Sequence, residues 1–450
     1  MTAGLLTGWG RTAATGADVV RPLGVRELEG CFDDAPDRGV IARGLGRSYG
    51  DAAQNAGGRV VDTTLVDDVA WFDPEAGRIR VAAGASLDGL MRALVPRGWF
   101  VPVTPGTKFV TVGGAVASDI HGKNHHRYGS WCDHVSELTL LTPADGPLRA
   151  GPDRDPDLFW ATAGGMGLTG VMVDATVNLT PIETSRLVVD TDRTADLDDV
   201  MALMESGDAD YPFSVAWIDL VATGASIGRS GLTRGRFARR EELDSRAASL
   251  PLAFAPRAVA AVPPVVPPRL LNRSSIRAFN EVWYRKAPVH RREELQSITR
   301  FFHPLDLVQD WNRLYGRPGF LQWQFAVPLA AGETLRRIVE TLSGVACPSF
   351  LSVLKRFGPA NPGPISFPGP GWTLALDLPT VVDGLGPLLD RLDEEVVDAG
   401  GRVYLAKDSR LRPELLGAMY PRLDEWRKVR DRVDPTGVLR SDLSRRLGLA

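Results

Sequence analysis

The sequence lacks three features: an excess of charge of one sign, a set of paired cysteines and any long apolar run. Its 450 residues carry a formal net charge of −3, so we expect no basic surface of the kind that nucleic acids require. The cysteines, Cys31, Cys132 and Cys347, are odd in number and widely spaced, which argues against a disulfide scaffold and fits a reducing compartment. No apolar run reaches the ~18 residues of a transmembrane helix, and the N-terminus shows no signal-peptide pattern.

What the chain does contain changes in character near residue 186. Residues 1–185 are rich in glycine and short β-branched runs, and the stretch 78–103 has the pattern of strand, helix and strand. The helix of that stretch would be capped by Ser86 and bury four residues at helical spacing: Leu87, Leu90, Met91 and Leu94. Later, aromatic strands such as GFLQWQFAVPL alternate with long helical stretches. A hydrophobic content of 44% and this length predict a globular protein of two or three domains with mixed α+β structure.

An apolar segment with five prolines spans residues 252–275. Proline at this density forbids both a helix interior and a central strand, so the segment is predicted to be a loop. Two interpretations remain open. Composition slightly favours a linker packed on the surface, whereas the apolar side chains also suit a flexible flap that touches lipid or a lipid-like substrate.

The stretch GGAVASDIHGKNHH, residues 113–126, ends with three of the six histidines of the chain: His121, His125 and His126. His121 and His125 are four residues apart, as metal ligands on a helix face would be, and Cys132 is an available further ligand. However, three glycines in and near this stretch disfavour a regular helix, and no histidine–carboxylate signature completes the set. A metal site is therefore disfavoured.

Three glycine clusters lie in the first part of the chain, at residues 44–50, 113–114 and 164–170. The last contains GMGLTG, but a strand-like run follows it where a dinucleotide-binding fingerprint would have a helix. Glycine lets backbone amides approach an anion closely. Three such loops are explained most simply by convergence on one phosphorylated cofactor.

These stretches resemble a known family. ARGLGRSYGD, PGTKFVTVGGAVASDIHGKNHH and LFWATAGGMGLTG are similar to the three signatures of the flavin-binding (PCMH-type) domain in the vanillyl-alcohol-oxidase superfamily. Within it, LTGWGRT, EVWYRK, FFHPLD, GFLQWQF, SFPGPGW, AKDSR and MYPRLDEW extend the resemblance over nearly the whole chain to the actinobacterial decaprenylphosphoryl-β-D-ribose 2-oxidase family.

The resemblance implies a two-domain α+β flavin oxidase. An FAD-binding domain is expected over residues 1–185 and a substrate domain built on an antiparallel sheet, with the flexible loop 252–275, over residues 186–400. A C-terminal segment, 401–450, is expected to return to the FAD-binding domain.

The cofactor implied is FAD, bound noncovalently. Many members of the superfamily link a histidine of the first glycine loop to the flavin, but this chain has Arg47 there. Gly113 and Gly114 are expected to bring amide donors to the FAD pyrophosphate. The residues expected to contact FAD are Arg43, Gly44, Leu45, Gly46, Arg47, Ser48, Tyr49, Gly50, Asp51, Gly106, Thr111, Val112, Gly113, Gly114, Ser118, Asp119, Ile120, His121, Met172, Tyr404 and Lys407.

Lys407 is expected beside the N1–C2 carbonyl edge of the flavin, where a cation stabilises developing negative charge. Its alternative role is a surface salt bridge with Asp408. The group that takes the substrate hydroxyl proton is left open among Tyr49, His121 and Lys355.

The substrate pocket implied by the resemblance comprises Trp217, Phe302, Gln322, Gln324, Lys355, Thr373 and Ala375. Phe302, Thr373 and Ala375 replace a tyrosine, an asparagine and a cysteine of the family pattern. Ala375 stands where the family pattern has the cysteine, and alanine offers no nucleophile. If this chain retains the function, the cysteine is therefore not required for catalysis. The changes bear on substrate selectivity rather than on the type of reaction.

The resemblance implies oxidation of the 2′-hydroxyl of decaprenylphosphoryl-β-D-ribofuranose to a ketone. A separate short-chain reductase would complete the epimerisation to the arabinose donor for cell-wall arabinan. Peripheral membrane contact is expected, at the cytoplasmic face because no signal peptide is visible, although family members are often assigned to the periplasm. The alternatives are an oxidase of soluble sugars, of the aldonolactone or alditol type, and a noncatalytic binding protein with a flavin domain.

Overall fold

The computed structural model describes residues 2–267, 270–345 and 348–449. Cys347 and residues 268–269 of the predicted loop lie outside these ranges. The strands are β1 (Thr2–Thr7), β2 (Ala14–Val20), β3 (Val40–Arg43), β4 (Arg59–Asp62), β5 (Val69–Asp73), β6 (Arg78–Ala82), β7 (Trp99–Phe100), β8 (Val135–Thr142), β9 (Gly146–Ala150), β10 (Val171–Asn178), β11 (Thr180–Pro181), β12 (Arg186–Thr194), β13 (Phe213–Ile218), β14 (Ser230–Phe237), β15 (Ala260–Ala261), β16 (His290–Ser297), β17 (Val308–Gln309), β18 (Phe320–Val327), β19 (Ser352–Phe357), β20 (Gly371–Pro379) and β21 (Arg402–Val403). The helices are α1 (Val25–Glu29), α2 (Leu87–Leu94), α3 (Val112–Ala117), α4 (His125–Tyr128), α5 (Pro156–Thr162), α6 (Leu197–Gly207), α7 (Ser245–Ala248), α8 (Arg273–Lys286), α9 (Ile298–Phe302), α10 (Gly332–Gly344), α11 (Leu385–Asp398), α12 (Pro413–Met419), α13 (Leu423–Val433) and α14 (Asp442–Leu447).

The first part of the chain builds two sheets, with strand orders β1-β2-β4-β3 and β5-β6-β10-β8-β9. The predicted strand, helix and strand are β6, α2 and β7, and Ser86 caps α2 by accepting a hydrogen bond from Gly89 N at 3.1 Å. The four apolar side chains at helical spacing are buried, as predicted: Leu87, Leu90, Met91 and Leu94. Their burial fixes α2 against the core of this domain.

The second part is organised by an eight-stranded sheet with the order β16-β12-β14-β13-β19-β20-β18-β21. Every residue of β20 is buried, because this strand lies between β19 and β18. One face of the sheet packs against helices that include α10 and α11, and carries apolar side chains such as Trp323, Phe325, Leu354, Leu374 and Leu376. The opposite face carries the polar residues described below.

The C-terminal part touches both domains. Strand β21 completes the eight-stranded sheet, while Leu439 bridges Val40 at the edge of the first sheet. Helix α14 is bound to the first domain by Arg446, whose guanidinium pairs with both carboxylate oxygens of Asp51 at 2.8 and 2.9 Å. The chain therefore returns to its starting domain after it has formed the second sheet.

The proline-rich segment is mostly a loop, as predicted, but one short strand holds it to the protein. Val259 N and Val262 N donate to the carbonyls of Leu307 and Gln309, so β15 lies beside β17. At its far end, residue 273 already begins α8. The segment is therefore held at β15, and the described residues 252–259, 262–267 and 270–272 have no regular element. No described helix has the length and apolarity needed to cross a membrane.

Candidate active site

The polar face of the large sheet gathers residues that are far apart in sequence. The pairs in register across neighbouring strands are Trp217–Val353, Lys355–Thr373, Gln324–Ala375 and Gln322–Asp377. Because side chains alternate between the faces of a sheet, these residues share one face. Six of the seven predicted substrate residues therefore lie together.

Phe302 is the exception. It belongs to α9, is buried, and packs against the rings of Phe100, Phe213 and Phe237 at centroid distances of 4.9–6.2 Å. This aromatic core lies beside the site. Lys123 connects the two, because its ammonium group lies 4.2 Å from the ring centroid of Phe301. The substrate contact of Phe302 stays a prediction.

His121 reaches the polar face from the loop that follows α3. Its Nδ1 lies 2.9 Å from Lys355 Nζ, and its Nε2 lies 3.1 Å from Gln324 Nε2. Burial is the main cause that holds the pKa of His121 well below 6.5, and positive charge on Lys355 or Lys407 would lower it further. The ring is thus neutral at neutral pH, and each of its nitrogens has a protein partner.

The hydrogen-bond directions in this group follow from Thr373. The Thr373 hydroxyl donates to the Phe325 carbonyl at 2.8 Å and so accepts from Gln324 Nε2 at 2.9 Å. The second hydrogen of the same amide then points to His121 Nε2, which must accept. With the Gln324 amide in this orientation, His121 carries its proton on Nδ1 and directs it at Lys355, which then accepts as an uncharged amine.

The electrostatics of Lys355 agree with this assignment. Burial, followed by the charges of Lys407 and Lys123, lowers the pKa of Lys355 well below 10.5. An uncharged amine retains a lone pair, and the Lys355 nitrogen also donates to the Gly122 carbonyl at 3.4 Å. In this structure that lone pair accepts the hydrogen bond from His121 Nδ1.

Asp119 fixes the loop that carries His121. It adopts a left-handed conformation with φ of 38°, and its buried carboxylate accepts hydrogen bonds from four donors: Ser130 Oγ, Cys132 N, Asn361 Nδ2 and Ser366 Oγ. Asp119 was expected to contact FAD, but its side-chain oxygens are already engaged. Its carboxylate holds the loop instead, so that a cofactor contact of Asp119 is restricted to its backbone.

The other two histidines of the motif have structural partners. His125 Nδ1 accepts from Gly358 N at 3.1 Å, while His126 Nε2 bonds to the carbonyls of Tyr211 and Asp208 at 2.8 and 3.1 Å. In the described part of the chain, no group of three or more histidine, cysteine or acidic side chains has an arrangement suited to a metal ion.

Lys407 lies across from His121, in a turn after β21, with Nζ 5.8 Å from the ring centroid of Tyr49. The alternative salt bridge with Asp408 is not formed, since Asp408 pairs with Arg446 at 2.9 Å. Burial lowers the pKa of Lys407 to about 8, and the charge of Asp377 opposes that shift.

Asp377 was missed in the sequence. It is fully buried, receives hydrogen bonds from Gln322 Nε2 at 2.5 Å and Tyr315 Oη at 3.2 Å, and forms no ion pair with a described residue. Burial raises its pKa to about 7. The signal was available: Asp377 is the single charged residue in the otherwise apolar strand GWTLALDLP.

Lys123, inside the HGKNHH stretch, was also missed. Its ammonium donates to the Phe301 carbonyl, and burial lowers its pKa to about 7. The charges of Lys407 and Lys123 both act on Lys355, and none of these three amines forms an ion pair with a described residue.

The first glycine loop fits an anionic group such as a pyrophosphate. Within the described chain, the backbone amides of residues 45–48 have no hydrogen-bond acceptor, so they are available to a ligand. A Cβ at Gly44 would lie 2.2 Å from Thr111 Oγ1, which explains the close packing of this loop on α3. Arg43 and Asp51, by contrast, use their side chains within the protein.

The second glycine cluster differs from the expectation. Gly113 N donates to the Ala83 carbonyl at 2.8 Å, and Gly114 N donates to Thr111 Oγ1 at 3.1 Å. Both amides therefore already have acceptors within the protein. The backbone amides of residues 45–48, which have none, are better candidates to donate to a pyrophosphate. The glycines allow α3 to pack closely on its neighbours, since a Cβ at Gly113 would lie 3.1 Å from the Ala83 side chain.

The remaining predicted cofactor residues have varied positions. Tyr404 stacks on Phe367 and donates to the Ser118 carbonyl at 2.7 Å, which brings its ring 5.4 Å from that of His121. Arg47 places its guanidinium 3.9 Å from the Trp9 ring centroid. Leu45 and Gly106 are exposed, Ser48, Gly46 and Ser118 are partly buried, and four are buried: Gly50, Val112, Ile120 and Met172.

The chain is similar to known protein families and proteins. A family profile described as FAD binding domain matches residues 17–150, and one described as D-arabinono-1,4-lactone oxidase matches residues 389–447. Decaprenylphosphoryl-beta-D-ribose oxidase of Mycolicibacterium smegmatis is 45% identical, over 99% of this chain and 97% of its own. An uncharacterised protein of Streptomyces coelicolor is 44% identical over 81% of this chain and 100% of its own.

The solved structure of BBE-like 1 from Physcomitrella patens has a TM-score of 0.68, covering 96% of this chain and 92% of its own at 16% identity. This likeness shows the fold and confirms the predicted two-domain α+β class. The first profile and the mycobacterial relative confirm FAD as the cofactor.

Proposed function

The chain belongs to the decaprenylphosphoryl-β-D-ribose oxidase family of FAD-dependent oxidoreductases, and from that premise we propose that it oxidises the 2′-hydroxyl of a polyprenyl-phosphoryl-β-D-ribofuranose. The observation that carries the proposal is the directed hydrogen-bond chain that ends on the uncharged amine of Lys355. An alcohol can be oxidised only if a group removes its proton as the hydride leaves.

FAD, when bound, supplies the hydride acceptor. We propose Lys355 as the proton acceptor among the three sequence candidates, with its lone pair exchanging the hydrogen bond from His121 Nδ1 for the substrate hydroxyl. Burial and the charge of Asp377 raise the pKa of Tyr49 well above 10, so its phenol is a poor base. His121 points its protonated nitrogen at Lys355, and its other nitrogen is occupied by Gln324.

The charges around the site favour an anionic substrate. Lys123 and Lys407 have no ion-pair partner among the described residues, and burial lowers the pKa of each. A phosphodiester near these amines would raise their pKa values again and gain charge-assisted hydrogen bonds. A neutral free sugar offers neither, so the lipid phosphate is preferred over the soluble-sugar alternative.

The lactone-oxidase profile at residues 389–447 is compatible with this choice. It covers only the end of the chain, including Tyr404 and Lys407, whereas the mycobacterial relative aligns over nearly the full length. We propose that the shared part is the cofactor-facing segment, and that substrate choice resides in the sheet. The proposed product is a ketone, which a separate short-chain reductase would reduce to the arabinose epimer for arabinan synthesis.

A visible spectrum of the purified protein tests the proposal. A yellow protein that bleaches anaerobically on addition of prenyl-phosphoryl ribose is expected, with no bleaching by free ribose or D-arabinono-1,4-lactone. Bleaching by the lactone alone would assign the protein to the soluble-sugar oxidases. A colourless protein that does not take up added FAD would identify it as a noncatalytic member.

A further inference from the structure

Arg446, in the C-terminal helix α14, connects two segments of the candidate site. Its Nε and Nη2 atoms donate to the two carboxylate oxygens of Asp51 at 2.9 and 2.8 Å. Nη2 also lies 2.9 Å from Asp408 Oδ2, and Nη1 donates to the Leu411 carbonyl at 3.1 Å. Asp51 directly follows the first glycine loop, and Asp408 directly follows Lys407. We call Asp51, Arg446 and Asp408 the C-terminal clasp.

The clasp lies beside the place where these two segments meet. Tyr49 N, in the glycine loop, donates to the carbonyl of Ala406, in the turn that carries Lys407, at 3.1 Å. A Cβ at Gly50 would overlap the Asp408 carbonyl, so the close approach of the two backbones requires glycine. Any change that separates the carboxylates of the clasp therefore acts directly on the contact between the loop and the turn.

The clasp places one positive charge between two negative charges. Among the described residues, neither Asp51 nor Asp408 forms an ion pair with another basic side chain. Burial lowers the pKa of Arg446, but the hydrogen bonds and charges of the two carboxylates outweigh it and raise this pKa. Asp408 is only 4% exposed, so water screens its charge weakly. Without the guanidinium, the two carboxylates would repel each other and push the loop away from the turn.

Helix α14 has further contacts that do not involve the clasp. Asp442 Oδ1 accepts a hydrogen bond from Ala56 N at 3.0 Å, and Arg445 Nη2 donates to Asn55 Oδ1 at 2.8 Å. These contacts attach α14 to the first domain independently of Arg446. Replacement of Arg446 is therefore expected to leave the helix in place and to change the spacing of the two segments.

We propose that Arg446 is a positioning residue for the cofactor, which keeps the first glycine loop against the turn that carries Lys407. The loop supplies the backbone amides of residues 45–48, which have no acceptor within the described chain, and the turn supplies the Lys407 ammonium. FAD that contacts both segments at once is released slowly, and it is released faster when they separate. The proposal does not depend on the identity of the substrate, because flavin release is measured without turnover.

The rate of flavin release from the FAD-loaded protein, followed by flavin fluorescence after dilution, tests this role. Arg446→Met removes the charge but keeps an unbranched chain, and release should become about tenfold faster or more. The matched control is Arg432→Met. Arg432 also joins a C-terminal helix to both carboxylate oxygens of a first-domain aspartate, Asp155, at 3.0 Å, but it belongs to neither segment. Its release rate should equal that of the unchanged protein.

A second substitution separates charge repulsion from lost packing. Asparagine at position 408 has no charge, and its oxygen still accepts from the amides of Arg410 and Leu411, as the Asp408 carboxylate does at 2.9 and 2.7 Å. The double variant R446M/D408N should therefore release FAD more slowly than R446M. A side chain that only fills space would not be compensated in this way.

Melting temperature establishes that each variant is folded. If R446M does not fold, Arg446→Lys is compared with Arg432→Lys, because a lysine ammonium lacks the fork that pairs with two carboxylates, and R446K should release FAD faster than R432K. The proposal is overturned if the Arg446 variant releases FAD at the rate of its Arg432 control. It is also overturned if R446M/D408N releases FAD as fast as R446M.

Discussion

The Nζ atom of Lys355 lies 2.9 Å from Nδ1 of His121, which brings together two side chains that would repel each other if both were charged. Burial is the main cause that lowers both pKa values, and the charge of Lys407 lowers each further. The pair is stable because a neutral imidazole donates to a neutral amine. Such an amine is available as a base at neutral pH, which an ordinary lysine is not.

Lys355→Arg should therefore abolish most turnover. Arginine has a similar length but stays protonated and therefore does not accept a proton. Loss of a general base typically costs 10²- to 10⁴-fold, so kcat should fall by about 10²-fold or more. Steady-state kinetics on prenyl-phosphoryl ribose measures this, with Lys428→Arg at an exposed position as the control. An unchanged kcat in Lys355→Arg would show that Lys355 is not the proton acceptor.

Thr373 should influence Lys355 indirectly, through the hydrogen bonds of Gln324 and His121. Thr373→Val preserves the shape but removes the hydroxyl that fixes the Gln324 amide, so the amide is free to turn and the proton on His121 is no longer held on Nδ1. We expect a lower kcat and an altered pH profile, whereas Thr373→Ser, which keeps the hydroxyl, should behave as the unchanged protein. Equal pH profiles for the two variants would mean that Thr373 only fills space.

The sequence predicted the local elements well because their signals are local. Helix α2 and its cap at Ser86 follow from periodicity and a single polar side chain. The shared face of Lys355, Thr373 and Gln324 has no such signal, since it arises from the pairing of β19 with β20 and of β20 with β18. Strand order and register are set by long-range packing and are not written in any one stretch.

The candidate site was found in part through resemblance and in part missed. Asp377 had a visible signal, a lone charge in an apolar strand, but its partners come from a separate strand and a separate turn. Gly113 and Gly114 show a different limit, because a glycine pair indicates close backbone approach without saying what approaches. Here Gly113 meets Ala83 and Gly114 meets Thr111 of the protein itself, and their contact with FAD stays a prediction.

The attachment of FAD is tested by acid precipitation. Arg47 stands where relatives carry the histidine that links to the flavin, and its guanidinium is stacked on Trp9. Since arginine does not form that link, the yellow colour should pass entirely into the supernatant. Flavin that stays with the pellet, seen by absorbance after proteolysis, would show a covalent bond at another residue.

Lys407→Ala should leave a folded protein that has lost most turnover or FAD. The ammonium is the cation that faces Tyr49 and His121, and removal of an electrostatic contact to developing charge typically costs ~3 kcal/mol of barrier, which is roughly 10²-fold in rate. Flavin content and kcat are measured together, with Lys428→Ala as the control at an exposed site. Near-normal flavin content and kcat would show that Lys407 has only a structural role.

Asp377→Asn should move the alkaline limit of activity to lower pH. Lys407 has a pKa of about 8, so its positive charge is lost as the pH rises through that value, and the Asp377 carboxylate opposes this loss. Without that charge the pKa of Lys407 falls further, and the ammonium is lost at lower pH.

Asp377→Asn should also change how the free energy of unfolding depends on pH. The pKa of Asp377 is raised from 3.8 to about 7 in the folded state, so the native protein binds the extra proton between these values and its free energy of unfolding decreases as the pH rises through them. Asparagine removes that decrease. The pH profile of kcat and urea unfolding at several pH values measure both effects, with the exposed Asp383→Asn as the control. An alkaline limit at the same pH in Asp377→Asn and in the control would show that Asp377 does not act on Lys407.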